Sequence, residues 1–434
     1  MVIALAHRKR RMKILLIGSG GREHALAWKI KKSKLCKHLY TAPGNPGTAE
    51  HGTNVAIADN DVDGLVNYAV DKKIDLVVVG PEDALCLGVV DAMEAKGIKT
   101  FGPSKAAAQL EGDKAFSKKM MADVRIPTAE GKTFVDFEAA KHYIAAKEGG
   151  VVVKATGLAK GKGVIVCDEP SDAIIAAEKM LNDNQFGDAG NEILVEEKLE
   201  GQEASILAFV DGKTIYIMES AQDHKPIGEG DTGANTGGMG AYTPAPIVDK
   251  QIMSMVEREV LVPIVDGMNR MGTPYKGILY AGIMLTAAGP KVLEFNCRFG
   301  DPECQPILSR MKGDIVEIML AVINGTLDQV TIDWDKRPAI CVVMSSGGYP
   351  GDYITGLPIS GIAEANKVAD TKVFHAGTKT VDGQVVTGGG RVLGITSLGQ
   401  TIEEAQQRAY DAISKINFPE CYWRNDIADK AIKK

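Results

Sequence analysis

The sequence predicts a multidomain α/β and α+β protein with a doubly wound parallel sheet at its N-terminal end. Three observations carry that prediction. Apolar, strand-like runs alternate with helix-like stretches up to about residue 113, which is the pattern of a parallel sheet with crossover helices. From Lys114 the pattern changes to closely spaced strands joined by tight turns, and from residue 337 to short strands, many glycines and one clear late helix. The expected domains are therefore 12–113, 114–336 and 337–434. A chain of 434 residues divides into roughly two to four domains, in line with this.

Taken in order, "MKILLIGSGGREHALAWKI" (12–30) reads as strand, glycine turn and helix, with Leu26 and Ile30 on one helix face. The buried-strand runs "IDLVVVGPE" (74–82) and "GIKTFGPS" (97–104) each follow a helical stretch. "KAFSKKMMADVRIP" is a helix stopped by Pro127. "NEILVEEKLEG", "QEASILAFVDG" and "KTIYIMES" are expected to be successive antiparallel neighbours, and "KGILYAGIMLT" and "GPKVLEFNC" a pair joined by "AAGP". In "TIEEAQQRAYDAISKI" (401–416) Thr401 caps a helix, with Glu404 three residues on. No repeat, low-complexity tract or long linker interrupts the chain, so the domains are expected to pack around something shared.

Composition excludes several classes of function. With 45% hydrophobic and 24% charged residues, a net charge of −6 and a pI near 5.8, the chain has neither a general nucleic-acid surface nor a polybasic membrane face. Seven scattered cysteines without C-x-x-C point to reduced thiols in a cytoplasmic protein rather than to disulfides or zinc. The opening "MVIALAHRKRR" has its apolar part before its basic part, the reverse of a secretory signal, and folded structure is expected from about Met12.

Four stretches carry chemistry. "KATGLAKGKGVIV" (154–166) lacks the G-K-[ST] of a P-loop, and strand-like "VVVK" and "VIVC" flank it. It is a hairpin whose tip is either a lid over a polyphosphate or a solubilising surface turn. In "KVLEFNCRFGDPE", Glu294 and Asn296 leave one face of a strand, with Val292 on that face and Leu293 and Phe295 on the other. One carboxylate beside one amide oxygen suits magnesium, and Arg298, Asp301 and Glu303 follow at once, as a functional set or an ion-pair network. "QDHKPIGEGDTGANTGGMGAYTPAP" (222–246) is a long polar loop in which Asp223, His224 and Lys225 could hold a charged substrate, His224 more readily as a hydrogen-bonding partner than as a base. "GSGGREH" (18–24) has Glu23 where a dinucleotide fingerprint needs glycine, leaving a non-NAD phosphate turn or an empty tight turn.

The strings "GSGGREHALAW", "APGNPGTA", "VVGPE", "QLEGDKAF", "KATGLAKGKGV", "SAQDHK", "DTGANTGGMGAY", "EFNCRFGDPE", "GGYPGDY" and "FHAGT", in this order, closely resemble the glycinamide ribonucleotide synthetase (phosphoribosylamine-glycine ligase) family of ATP-grasp enzymes, from about Met12 to the end. The resemblance implies an ATP-grasp middle region with a hairpin-bearing lid at about 130–202 and a small C-terminal α+β domain. It implies ATP and Mg²⁺ or Mn²⁺, and the substrates glycine and 5-phosphoribosylamine; a different acid substrate is the main alternative. It also implies a monomer or weak dimer without nucleic-acid or membrane partners. Residue by residue, it assigns ATP to Lys114, Lys154, Gly157, Lys160, Gly161, Lys162, Gly163, Glu196, Glu197, Leu199 and Glu203, and the metal to Glu294 and Asn296. Asp223 and Arg298 would orient glycine by its ammonium and carboxylate. Gly18, Gly20, Gly21, Arg22, Glu23 and Asn45 would receive the phosphoribosyl group, with Lys225 and Asp301 also in the substrate site. Many ATP-grasp members carry a further acidic metal ligand on the preceding strand, where "YAGIMLT" offers Met284 instead, which leaves the metal count open.

Overall fold

The computed structural model describes residues 11–159, 163–183 and 185–432. Strands β1 (Met12–Gly18), β2 (Cys36–Pro43), β3 (Thr53–Asn54), β4 (Leu76–Val79) and β5 (Lys99–Phe101) form a parallel sheet in the order β3-β2-β1-β4-β5. Both faces of β1 are buried: Leu15 and Ile17 enter one core and Ile14 and Leu16 another, as expected of a strand covered on both sides. The helix Gly21–Lys31 follows β1 and buries Leu26 and Ile30.

A second sheet, β6 (Gly131–Phe134), β7 (Val151–Ala155), β8 (Val164–Cys167) and β9 (Ile193–Glu197), has the order β6-β9-β7-β8 and its own core, drawn only from residues between Phe134 and Val195. β7 and β8 are antiparallel, with Lys154 opposite Val164, the pairing expected of two strands joined as a hairpin; Lys160, Gly161 and Lys162 lie outside the described residues. Next come β10 (Gln202–Asp211) and β11 (Ile215–Ile217). Here the expected pairing of β9 with β10 fails. β9 pairs with β6 and β7, while β10 pairs with β11 and with β16 (Lys276–Thr286), because the chain changes sheet at Gly201, whose φ of +154° suits glycine alone.

The segment 222–246 is also more ordered than its polar composition suggests. It contains β12 (Gln222–Asp223), a ribbon of β13 (Pro226–Gly228) with β14 (Thr232–Asn235), and β15 (Gly240–Thr243). β16 and β17 (Gly289–Asn296) form the expected hairpin. β18 (Ala339–Ser345), β19 (Thr371–His375), a ribbon of β20 (Thr378–Val381) with β21 (Gln384–Thr387), and β22 (Arg391–Leu398) complete the chain. The third large sheet runs β12-β15-β18-β22-β19, so two strands from before residue 337 are built into it. The helix Ile402–Ile413 packs on it, capped by Thr401 Oγ1, which accepts from the Glu404 N–H.

Three histidines join the N-terminal sheet to this last one. The His24 ring lies 5.3 Å from His51 and 5.6 Å from His375, and its Nδ1 accepts the His375 backbone N–H at 2.8 Å. The ring proton of neutral His24 therefore sits on Nε2, which leaves no lone pair there for an ion, although Glu50 and His51 stand close enough to make a metal-ligand group. Burial lowers all three imidazoles, His51 and His375 to about 4. A histidine lowered on folding stabilises the native state fully above its unfolded value near 6.5, and loses that contribution as pH falls toward 4. Each of His51 and His375 is expected to forfeit about 1–2 kcal/mol at pH 5 relative to pH 7. Thermal melts between these pH values should show the loss, and His51→Gln should flatten it; an unchanged slope would contradict burial of a neutral ring.

Candidate active site

A cavity of about 330 Å³ opens where the carboxyl ends of β1 and β4 face the second sheet, β17, and the 236–238 turn before β15. Lys114, Lys118, Lys154, Glu196 and Gly163 line one end of it. Lys114 is the first residue of the helix Lys114–Asp123, fixed by the Asp113 cap, and its Nζ donates to the Gly157 carbonyl at 3.1 Å. Lys154, on β7, pairs with Glu196 Oε2 at 2.5 Å and donates to the Leu293 carbonyl at 3.2 Å. Lys118 takes the other oxygen of Glu196 at 2.7 Å, so one carboxylate on β9 holds two lysines apart. Gly163 passes so close to Ala159 that a Cβ would lie 2.6 Å from that methyl, and at Gly157 a Cβ would lie 2.7 Å from the Ala189 backbone.

Glu197, Leu199 and Glu203 are not part of the cavity wall. Glu197 pairs with Lys291 at 2.9 Å, which lowers its pKa, Leu199 is half-buried after β9, and Glu203 pairs with Lys225 at 2.9 Å.

At the middle, Glu294 and Asn296 both line the cavity, as expected. Their neighbours do not alternate as expected. Gly282 opposes Glu294 and Ile283 opposes Val292, so Leu293 is a β-bulge. Val292 consequently turns into the core with Phe295, and Leu293 is left to offer its carbonyl to Lys154. Burial works to raise the pKa of Glu294, but Lys225, Lys154, Lys114 and Arg298 outweigh it and hold the carboxylate ionised. Asn296 Oδ1 accepts only a 3.5 Å contact from Arg298, which leaves it free to ligate. An ionised carboxylate beside a free amide oxygen fits a hard divalent cation.

Arg298 lies behind this pair with every nitrogen engaged. Its Nε meets Glu82 at 3.0 Å, Nη2 meets Glu111 at 2.8 Å, and Nη1 donates to the Phe299 carbonyl at 3.3 Å. Asp223, Lys225, Asp301, Glu303 and Arg391 close the far end. Asp223 accepts from the His224 N–H at 2.7 Å, and burial together with Glu303 pushes its pKa well up. His224 is a buried hydrogen-bonding partner, Nδ1 to the Gly240 carbonyl and Nε2 to the Ala428 N–H.

The N-terminal turn departs most from expectation. Of its predicted residues only Arg22 lines the cavity. Glu23 folds back to accept the Gly20 N–H at 2.6 Å and pairs with Arg22 Nε at 2.6 Å, while Asp301 accepts the Arg22 N–H at 3.2 Å. The chain's own carboxylates thus accept two backbone N–H groups of the turn, those of Gly20 and Arg22. At Gly18 a Cβ would strike the Glu23 side chain at 2.6 Å, and at Gly21 the Gln305 amide at 2.6 Å, so these glycines serve close packing. Asn45 is a buried strut: Nδ2 donates to the Ser19 and His375 carbonyls and Oδ1 caps Thr48.

Sequence reasoning missed Lys118, Glu82, Glu111 and Arg391. Lys118 follows Lys114 by one helical turn and so was findable, whereas nothing near Arg391 in "GGGRVLG" points across the fold to this cavity.

Three family models match consecutive parts of the chain: the phosphoribosylglycinamide synthetase N domain over 12–111, its ATP-grasp (A) domain over 112–304 and its C domain over 339–430. The phosphoribosylamine–glycine ligase of Rhodopirellula baltica is 51% identical over 426 residues, covering 96% of this chain and 98% of that protein. That of Escherichia coli K12 is 51% identical over 427 residues, covering 98% and 99%. Among solved structures, the phosphoribosylamine–glycine ligase of Thermotoga maritima superposes with a TM-score of 0.84 at 30% identity, covering 96% of this chain and all of that one. The biotin carboxylase domain of Hydrogenobacter thermophilus 2-oxoglutarate carboxylase, at 15% identity with 95% and 92% coverage and a TM-score of 0.73, shares the fold. With its three-domain α/β architecture and its ATP-grasp region, the chain belongs to the phosphoribosylglycinamide synthetase family.

Proposed function

We propose that this chain is an ATP-dependent ligase that joins glycine to 5-phosphoribosylamine, giving glycinamide ribonucleotide, ADP and phosphate in purine biosynthesis. The observation that carries the reading is one cavity with three chemistries in sequence: lysines at one end, the Glu294–Asn296 oxygen pair in the middle, and Asp223 with a guanidinium at the other end. The glycine carboxylate oxygen attacks the γ-phosphorus of ATP and ADP leaves. The amine of phosphoribosylamine then attacks the carbonyl of the glycyl phosphate, and inorganic phosphate leaves with the C–O bond electrons. Neither step needs a protein nucleophile, so the residues act by position and charge.

Lys114 and Lys154 hold the nucleotide phosphates, Leu158, Ala159 and Gly163 wall the cavity beside them, and the chain from Glu196 to Glu203 holds the nucleoside. Glu294 and Asn296 hold Mg²⁺ or Mn²⁺, which supplies charge neutralisation on the phosphates when bound. Residues 12–113 form one wall, 114–336 the nucleotide region with its lid at 130–202, and 337–434 the remaining wall. We place the enzyme in the cytoplasm as a monomer or weak dimer; no helix among the described residues is long and apolar enough to cross a membrane. The expected result is release of ADP and phosphate only when glycine and phosphoribosylamine are both supplied. Turnover indifferent to either substrate, or AMP and pyrophosphate as products, would refute the reading.

A further inference from the structure

We propose that the C-terminal segment 422–428 is a strap that positions the substrate end of the cavity, with Arg424 as the positioning residue that fixes the backbone carrying Asp223 and Lys225. This rests on the ligase reading above, in which that end receives glycine.

On one side the strap is anchored in the C-terminal core. Ile427 and Ala428 are fully buried there, in a cluster with Met239, Tyr242 and Ile340. The Tyr410 hydroxyl, on the helix Ile402–Ile413, donates to the Arg424 carbonyl at 2.8 Å and accepts the Ile427 N–H at 3.2 Å. Gln406 Nε2, on the same helix, donates to the Ile427 carbonyl at 2.8 Å. Tyr422 exchanges two backbone bonds with Ser345 at the end of β18, of 2.8 and 2.9 Å. Ala428 has a φ of +74°, a left-handed conformation that alanine keeps only where its surroundings impose it.

On its other side the strap grips the β13–β14 ribbon. Every residue of β14 is exposed, and Ile227 is the one large aliphatic side chain between 226 and 235, so the ribbon has little apolar surface with which to hold itself in place. Arg424 is fully buried, and its Nη1 donates to the Pro226 carbonyl and to Asp231 Oδ1, both at 3.0 Å. Its Nε and Nη2 meet the two oxygens of Asp426 at 2.7 and 2.6 Å, a bidentate pair that fixes the plane of the guanidinium. Asp426 Oδ2 also accepts the Gly230 N–H at 2.8 Å. Asn425 donates its N–H and its Nδ2 to Glu229 Oε1 at 3.1 and 2.7 Å, and the Tyr422 hydroxyl donates to the Ile227 carbonyl at 2.9 Å. Among the described residues, the hydrogen bonds and ion pairs that leave 226–235 all end within 422–430, Lys430 adding a pair with Asp231.

The ribbon begins and ends in the cavity wall. Lys225 precedes it, Thr236 follows it, and both line the cavity. Thr236 closes the base of the ribbon by donating its N–H and its hydroxyl to the Lys225 carbonyl at 2.8 and 2.7 Å. The carbonyl that Arg424 holds belongs to Pro226, the next residue after Lys225. A second link reaches Asp223: the Ala428 N–H donates to His224 Nε2 at 3.4 Å, and the His224 N–H donates to Asp223 Oδ1 at 2.7 Å. A buried arginine among carboxylates gains little net stability over an apolar filling, because the cost of desolvation offsets the attraction. What Arg424 supplies is a fixed geometry at the substrate end, whereas the nucleotide end is built on other elements, β7, β9 and the helix Lys114–Asp123.

The test is steady-state kinetics and amide hydrogen exchange of full-length Arg424→Gln. The KM for glycine should rise about tenfold while the KM for ATP stays within about twofold, because a small displacement of the binding groups penalises one substrate and spares the other. Exchange over 226–237 should speed up while β7 and β9 stay as protected as in wild type. A lower melting temperature with both KM values unchanged would make Arg424 a stabilising residue only, and would overturn the proposal. An equal rise in both KM values, or a rise confined to phosphoribosylamine, would overturn it as well. Should the glutamine variant not fold, Tyr422→Phe combined with Asn425→Ala removes side-chain bonds to Ile227 and Glu229 at exposed positions and leaves the buried charges in place. A glycine KM about threefold higher in that variant upholds the positioning role, and an unchanged one sinks it. If the wild-type enzyme shows no glycine-dependent ADP release, the ligase reading itself fails, and hydrogen exchange then decides the strap: unchanged exchange over 226–237 in either variant overturns it.

Discussion

Arg298→Met is expected to cost the protein about 3–5 kcal/mol of stability, more than any other single substitution at the cavity. The guanidinium is one-sixth exposed (17%), and its two charged partners, Glu82 and Glu111, have few other sources of compensation. Arg298 is the main reason that the Glu82 carboxyl is held down to about 2, and it is the cation working to keep Glu111 ionised against burial and against Glu82. Glu111 in turn accepts the Cys297 N–H at 2.7 Å, which ties the end of β17 to the helix Lys105–Gly112. Without the arginine, two carboxylates face each other with little solvent, and one must take up a proton. Urea unfolding at neutral pH should show the midpoint fall. Adding Glu82→Gln and Glu111→Gln to the methionine variant should restore most of the loss, because it removes the unpaired charges rather than the arginine alone. Activity should stay low in the triple variant, since Asn296 loses its 3.5 Å neighbour and the floor beneath the metal pair loses its charge. A single variant as stable as wild type would mean that water reaches the two carboxylates and that this network is not structural.

Much of this was legible in the sequence, and the failures share a physical cause. The parallel sheet, the β7–β8 and β16–β17 hairpins and the Thr401 cap are set by local periodicity and turn chemistry, which neighbouring residues determine among themselves. The Lys154, Glu294 and Asn296 positions were readable for the same reason, since a strand fixes where its alternate side chains go. What failed depends on partners distant in sequence. The bulge at Leu293 is a matter of register against β16, and no property of "KVLEF" announces it. That β9 leaves its sequence neighbour β10 for β6 and β7 is a tertiary choice made at one glycine. Asn45 and the 18–23 turn read as ligand groups because polar residues and glycines at a helix start suit an anion; that Glu23 and Asp301, the latter far along the chain, accept the Gly20 and Arg22 N–H groups is not announced by the local sequence. Arg391 was invisible because its place in the cavity wall depends on contacts with Gly237 and Asp301, both distant in sequence.

Glu294→Gln should lower kcat by about 10³-fold while changing stability by no more than about 1 kcal/mol. The substitution keeps shape and hydrogen-bonding capacity and removes one negative charge, so the effect isolates electrostatics. Glu294 has Lys225 at 3.7 Å and feels Lys154, Lys114 and Arg298, an arrangement in which the carboxylate offsets several cations before any ligand arrives. Because its side chain remains about one-third exposed (36%), solvent screens much of that interaction, and folding should hardly register the change. The chemistry should register it strongly, since a phosphoryl group in flight concentrates charge where the divalent ion must be held, and an amide oxygen binds that ion far more weakly than a carboxylate does. Two measurements separate the outcomes. A thermal melt close to that of wild type, together with a large rise in the magnesium concentration needed for half-maximal rate, identifies a lost metal ligand. A melt lowered by several degrees with an unchanged magnesium requirement would instead make Glu294 the keystone of the lysine cluster, and the ion would have to be sought at another pair of oxygens.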